Sequence, residues 1–395
     1  MGEETAEPGR MILPTLVFSR FATMPPGILT GLLLLDIGET FSLTVGIAGQ
    51  VRSAASVVGV VFALLIGGLS LRFKPKPLLL AGLSILVVSA VGCALAPSFP
   101  VLLSAYALTG VVVALVGPMT FTLVADHFPR DQRANAISWI IAGMSGSYLV
   151  GAPIIGYISG FVGWRGAFLW FVLPVSLLGL LMAQTFIPSK GRPDLEGQRV
   201  EAGLLKGFTK VLTDISSLSC LSGTALVAAA YMAMVSYAPS FYRERFGLST
   251  AQASLLIIVS SVFFIAGTRL SAGLVRTYGR KPITLWLSAL AAVSIVAYLN
   301  LPDLWLSLAA RFLGSTISAI VFTATNALTL EQLPGFRSTV MSLNQSAFSL
   351  GGFLGTALGG LVIMISGYKT MGVTHGAMMF IAMIVLHLYA ADPTD

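Results

Sequence analysis

Four arginines stand inside long apolar runs of this sequence: Arg20, Arg52, Arg269 and Arg311. A guanidinium holds its charge at any ordinary pH and offers five N–H donors in a planar fork. In apolar surroundings it calls for an anion. Arg20 lies about nine residues into its run, roughly 13 Å along a helix, and Arg52 lies about eight residues into the next. At that depth each would cost at least ~2.5 kcal/mol facing lipid, so both are expected to face the protein interior. Arg269 and Arg311 lie nearer the ends of their runs, within snorkelling reach. The sixteen acids give no answering charge in mid-run. Asp36 and Glu39 close the first run, and Asp126, Asp214 and Glu331 stand near the ends of others. The chemistry implied is capture of an anionic or acid-bearing solute, with Arg20 and Arg52 as its principal candidates. Internal pairing of these arginines is the competing reading.

The elements that must position these groups are membrane helices. The chain has 395 residues, of which 56% are hydrophobic and 10% charged. Apolar stretches beyond the ~18 residues that span a bilayer recur along its length. Twelve spans can be drawn, at roughly 11–35, 44–71, 77–96, 100–125, 134–162, 165–187, 211–242, 250–275, 283–301, 303–329, 337–365 and 371–391. The polar stretch 188–207 divides them into halves of six, 1–187 and 208–395. Placing the N-terminus inside puts fifteen Lys and Arg residues in inner loops and four in outer loops. The positive-inside rule then makes both termini cytoplasmic, and the expected location is the plasma (inner) membrane. The net charge of +7 sits in these short loops, which argues for topology and against nucleic acid. The acidic start "MGEETAEPGR" and the long run after it do not read as a cleavable leader. Cys93 and Cys220 fall inside apolar runs, which argues against a disulfide.

A basic turn repeats. Residues 67–77, "GGLSLRFKPKP", align with 272–282, "AGLVRTYGRKP", at an offset of 205. The same offset pairs Glu39 with Glu244, Phe41 with Phe246, Asp126 with Glu331, Pro129 with Pro334 and Gly146 with Gly351. Rare acids and a Lys-Pro step matching at one offset point to an internal repeat of six spans. Such a repeat implies a pseudo-two-fold axis along the membrane normal.

At these residues the sequence resembles the major facilitator superfamily, over nearly the whole chain. The basic turn resembles that family's loop motif between helices 2 and 3, with an echo between 8 and 9. Leu274, Gly279, Arg280 and Lys281 match in the second copy, and Gly67, Leu69, Arg72 and Lys76 in the first. Both copies lack the family's acid, whose place is taken by Leu71 and Arg276. "GAPIIG" at 151–156 and "GWRGAFLW" at 163–170 are similar to the drug/proton antiporter-like branch. The arginine usual in helix 4 is absent: Tyr106 stands there, and Arg311 is its repeat partner. The resemblance implies an all-α fold of twelve helices in two six-helix bundles. It also implies alternating access, with export or antiport of a small solute and no enzymatic activity. It places Met24, Tyr106, Tyr231 and Tyr237 on cavity-lining helices, and they join Arg20, Arg52 and Arg311 as substrate-binding candidates. Core packing explains the same Met and Tyr positions.

Two further sets of residues carry expectations. Arg72 and Lys74 would meet Asp126, and Arg276 and Arg280 would meet Glu331, as a state-dependent latch on the inner side. Such a pair is worth on the order of 1–3 kcal/mol. Topology alone is the plainer reading of those basic residues. Gly351, Gly355 and Gly359 share one helix face at four-residue spacing, which suits close helix packing. Gly151 and Pro153 suggest a packed and bent fifth span. The three histidines, His127, His375 and His387, have no zinc spacing, and no Ser/His/Asp set or phosphate loop appears. No cofactor and no metal site are expected. The expected partners are a small-molecule substrate, the lipid bilayer and a coupling proton or counter-substrate, with the chain acting as a monomer. The alternatives are a proton-coupled multidrug exporter of apolar compounds, or a non-transporting receptor or scaffold on the same fold.

Overall fold

The computed structural model describes residues 11–188, 207–333 and 336–392. Most of the 188–207 linker and the N-terminal ten residues lie outside the described residues. Among the described residues every regular element is helical: α1 (Ile12–Ala22), α2 (Pro25–Leu32), α3 (Leu34–Thr40), α4 (Val45–Ala48), α5 (Gln50–Arg72), α6 (Pro75–Ala94), α7 (Phe99–His127), α8 (Arg130–Ala167), α9 (Leu173–Phe186), α10 (Ile215–Phe246), α11 (Thr250–Tyr278), α12 (Arg280–Asn300), α13 (Leu304–Glu331) and α14 (Arg337–Tyr389). Among the described residues, ten segments are long and apolar enough to cross a membrane. Two of them, Trp139–Phe186 and Thr339–Tyr389, are 48 and 51 residues long. At 1.5 Å per residue each is about twice the ~30 Å hydrocarbon core, so each holds two spans. The chain breaks helical geometry at Gly163 (φ 68°) and Gly367 (φ 77°), backbone conformations that a side chain disfavours. Ten segments therefore account for twelve spans. Large apolar side chains such as Trp286, Trp305 and Ile365 are more than 70% exposed, as suits a lipid-facing surface.

The first span is interrupted rather than straight. Pro25 and Pro26 lack the N–H groups an unbroken helix needs, and they begin a new helix after Met24. A second break at Leu33 leaves α1, α2 and α3 in succession.

Helix signals repeat with the sequence. The starts Val45 and Thr250, Pro75 and Arg280, and Phe99 and Leu304 are each 205 residues apart. Their caps repeat too: the Thr44 side chain accepts from the Ile47 N–H, and Ser249 forms a capping box with Gln252. Before each cap the chain turns through a positive φ, at Ser42 (54°) and Gly247 (67°), again 205 apart.

The chain divides into two compact units. One comprises the chain up to Phe41 and from Ala54 into the linker; the other comprises Ser42–Ser53 and the chain beyond the linker. The expected first half, 1–187, thus gives Ser42–Ser53 to the second unit. The cause is local packing. Gln50 Nε2 donates to the Ala357 carbonyl at 3.3 Å, and Ser53 Oγ donates to Thr356 Oγ1 at 3.3 Å. Gly46 lies against Gly360, where a methyl group would strike the backbone. The first unit's core runs from Leu16 and Leu83 through Val116 and Leu123 to Ile140 and Ala183. In the second, α10 crosses α14 so closely that a Cβ on Gly351 or Gly355 would fall on the carbonyl of Ala225 or Ala229.

Candidate functional site

The four embedded arginines have four different surroundings. Arg20, on α1, is only 8% exposed. Its Nη2 donates to the Met144 sulfur at 3.0 Å, while Nε and Nη1 are buried with no hydrogen-bond partner. A thioether is a weak acceptor, so the guanidinium keeps most of its donor capacity. Gly117, in mid-α7, makes its room: a Cβ there would stand 3.2 Å from Nη1. The backbone just beyond is tied by the Thr23 N–H and hydroxyl, both donating to the Arg20 carbonyl.

Arg311 is also buried, at 9% exposure, but it is engaged. Its guanidinium carbon lies 5.4 Å from the Tyr298 ring centroid. Tyr298 stacks on Tyr242 with centroids 6.4 Å apart, and Tyr242 pairs with Ser307 at 2.9 Å. Arg269 is exposed, as snorkelling allows. Arg52 is half-buried in the second unit, within electrostatic reach of Tyr237.

The aromatic candidates divide likewise. Tyr237 is buried, and its hydroxyl donates to the Thr356 carbonyl at 2.9 Å. Gly49 and Gly360 leave the space this hydroxyl occupies. Arg52 and Tyr237 are therefore brought together, beside Gln50, Ser53 and Thr356. Tyr106 is buried with its hydroxyl 3.0 Å from Thr30 Oγ1. Tyr231 packs on Phe264 with centroids 5.2 Å apart. Met24 is half-buried at the break between α1 and α2. Arg20 stands in the first unit with Met24 and Tyr106; Arg52, Tyr231, Tyr237 and Arg311 stand in the second.

Lys74, Asp126 and Arg276 are exposed, Glu331 is half-buried, and Arg280 keeps Nη1 buried without a partner. The side chain of Arg72 lies outside the described residues. Gly151 is in contact range of Ile28 and Phe171, and Pro153 sits inside α8. Gly359 lies against the Tyr237 ring. No group of His, Cys, Asp and Glu able to hold a metal occurs among the described residues.

Sequence reasoning missed several residues. Gly117 is one, although its place before Pro118 in mid-span was a signal. The corner at Gly367, Tyr368 and Lys369 is another. It repeats Gly163, Trp164 and Arg165 at an offset of 204, and the one-residue shift hides it from a search at 205. At the first corner the Arg165 guanidinium stacks 4.3 Å from Trp164 and donates to the Ala96 carbonyl at 2.9 Å. At the second, Tyr368 packs on Phe241 with centroids 5.4 Å apart.

A helical chain with twelve apolar spans, a duplicated set of helix starts and a buried arginine with two unpartnered nitrogens fits a polytopic membrane carrier. The model of the Major Facilitator Superfamily matches residues 16–302 and 274–395, and the chain belongs to that family. It is a secondary transporter and not an enzyme. A Haemophilus influenzae protein named for metabolite transport is 25% identical over 354 residues, covering 87% of this chain and 86% of its own. The Bacillus subtilis MFS-type transporter YceJ is 24% identical over 363 residues, 90% of each chain. Among solved structures, a D-xylose-proton symporter has a TM-score of 0.76 at 16% identity, covering 96% of this chain and 97% of its own. A bacterial homologue of the lysosomal transporter Spinster, inward-facing and unoccupied, has a TM-score of 0.69 at 18% identity, covering 95% and 94%.

Proposed function

We propose that this transporter exports or exchanges a small organic anion across the plasma membrane by alternating access between its two repeat halves, 1–187 and 208–395. The observation that carries the reading is Arg20: buried, charged, and with Nε and Nη1 unpartnered. A carboxylate or phosphate supplies the acceptors that Met144 does not. Arg52, next to Tyr237, is the second contact to the same class of solute. The antiporter-like sequence of α8 supports export or exchange, as does a Pasteurella multocida protein named for sugar efflux, 23% identical over 363 residues. The lysine and arginine asymmetry supports cytoplasmic termini. The chain works as a monomer, with a proton or counter-substrate driving the cycle. Asp126 and Glu331, at matching places in the two repeats, bias the inner gate.

A ligand-induced thermal stability screen of the purified protein tests the substrate class. Organic anions are expected to raise the melting temperature and Arg20→Ala to abolish the rise. Stabilisation by lipophilic cations or neutral compounds instead overturns the anion reading. Solute flux in proteoliposomes tests the carrier itself.

A further inference from the structure

His375 lies on the second arm of α14, eight residues past the Gly367 break, and is fully buried. Its Nδ1 is 2.9 Å from the Met371 carbonyl oxygen, and its Nε2 is 3.0 Å from the Gly355 carbonyl oxygen on the first arm. Both partners are acceptors only. A neutral imidazole has one N–H, so it would set one ring lone pair against a carbonyl lone pair. A doubly protonated ring donates to both. Thr374 does not remove the conflict. Its hydroxyl lies 3.2 Å from Nδ1 but donates to the Met371 carbonyl at 3.0 Å, leaving its lone pairs toward the ring.

Among the described residues, no charged or titratable side chain of α10, α12, α13 or either arm of α14 acts on this imidazole; burial disfavours its charged form, and the Gly355 and Met371 backbone carbonyls favour it. The neutral ring has a repulsive contact, and the charged ring has no carboxylate. The two costs oppose each other: burial works against the charge, and two carbonyl acceptors at hydrogen-bond distance work for it. We propose that His375 is a proton-binding site, held as an imidazolium when the two arms of α14 pack as they do here. Gly355 also abuts Ala229 of α10, so the proton bears on a crossing of three spans. With no acid in mid-span, this imidazole is placed to carry a coupling proton. That use of the site rests on the transporter reading; the site itself does not.

The test is nitrogen-15 NMR of the full chain in lipid bicelles, on His127→Asn/His387→Asn protein, which leaves His375 as the single histidine of three. At the acid end of the pH range over which the protein stays folded both ring nitrogens are expected to carry a hydrogen, and one hydrogen is lost as the pH rises. A single protonated nitrogen throughout overturns the proposal. Should that variant not fold, the difference between wild type and His375→Gln gives the same signal. Failure of the transporter reading shows separately, as absent solute flux with this titration intact.

Discussion

Replacing Arg20 with methionine should make the protein more stable and worse at its task. Each buried unsatisfied donor costs about 1–3 kcal/mol, and Arg20 has two, at Nε and Nη1. An arginine at helix centre in the membrane costs ~2.5 kcal/mol on its own. The Met144 sulfur returns little of this. Methionine keeps an unbranched apolar stem in the space beside Gly117, so Arg20→Met should gain about 2–4 kcal/mol. The same change removes charge-assisted hydrogen bonds to a bound anion, worth about 1.5–3 kcal/mol, so affinity should fall roughly 10- to 150-fold. Arg311→Met is the control. Its guanidinium faces Tyr298 at 5.4 Å, so removal should destabilise by about 0.5–2 kcal/mol. Thermal melts in detergent give the two stabilities, and titration with the anion found in the stability screen gives the affinity. The reasoning is refuted if Arg20→Met melts lower than wild type and binds equally well, because the arginine would then be a packing element.

Three other perturbations follow from the packing. Gly355→Val places a side chain on the Ala229 carbonyl and should cost about 1–3 kcal/mol by overpacking, read as a lower melting temperature. An unchanged melt would mean that α10 and α14 do not need that approach. Arg165→Ala removes the stack on Trp164 and the hydrogen bond to Ala96, together about 1–3 kcal/mol. Faster hydrogen exchange in residues 94–100 should report the loss. Asp126→Asn with Glu331→Gln should shift the ratio of inward-open to outward-open molecules by about five- to 150-fold, measured by single-molecule fluorescence transfer. An unchanged ratio removes the latch.

Much of the scaffold is legible in the residue order because its signals are local. Proline at Pro25, Pro75 and Pro118, capping hydroxyls at Thr44 and Ser249, and apolar run length each act within a few residues. The 205-residue offset survives in the helix starts for that reason. The allegiance of Ser42–Ser53 is not local: Gln50 and Ser53 find their partners about 300 residues away, and no periodicity encodes that. The same limit applies to the arginines. Depth in a span set Arg20 apart from Arg311, yet both are buried, and only the fold shows one facing a thioether and the other an aromatic stack. Gly117 illustrates the same point from the other side, since its importance lies wholly in the side chain of a distant helix.

Gly163 and Gly367 also bear on how the chain enters the membrane. Each joins two spans through a corner with one non-helical, positive-φ residue and only a few residues between the helices. A span of this kind cannot wait half-inserted for its neighbour, because the connection is too short to leave the interface. Spans 5 and 6, and again 11 and 12, are thereby expected to enter the bilayer as helical hairpins. The connections also give a protease or an inserted epitope nothing to grip, so tags that report topology belong in the longer loops.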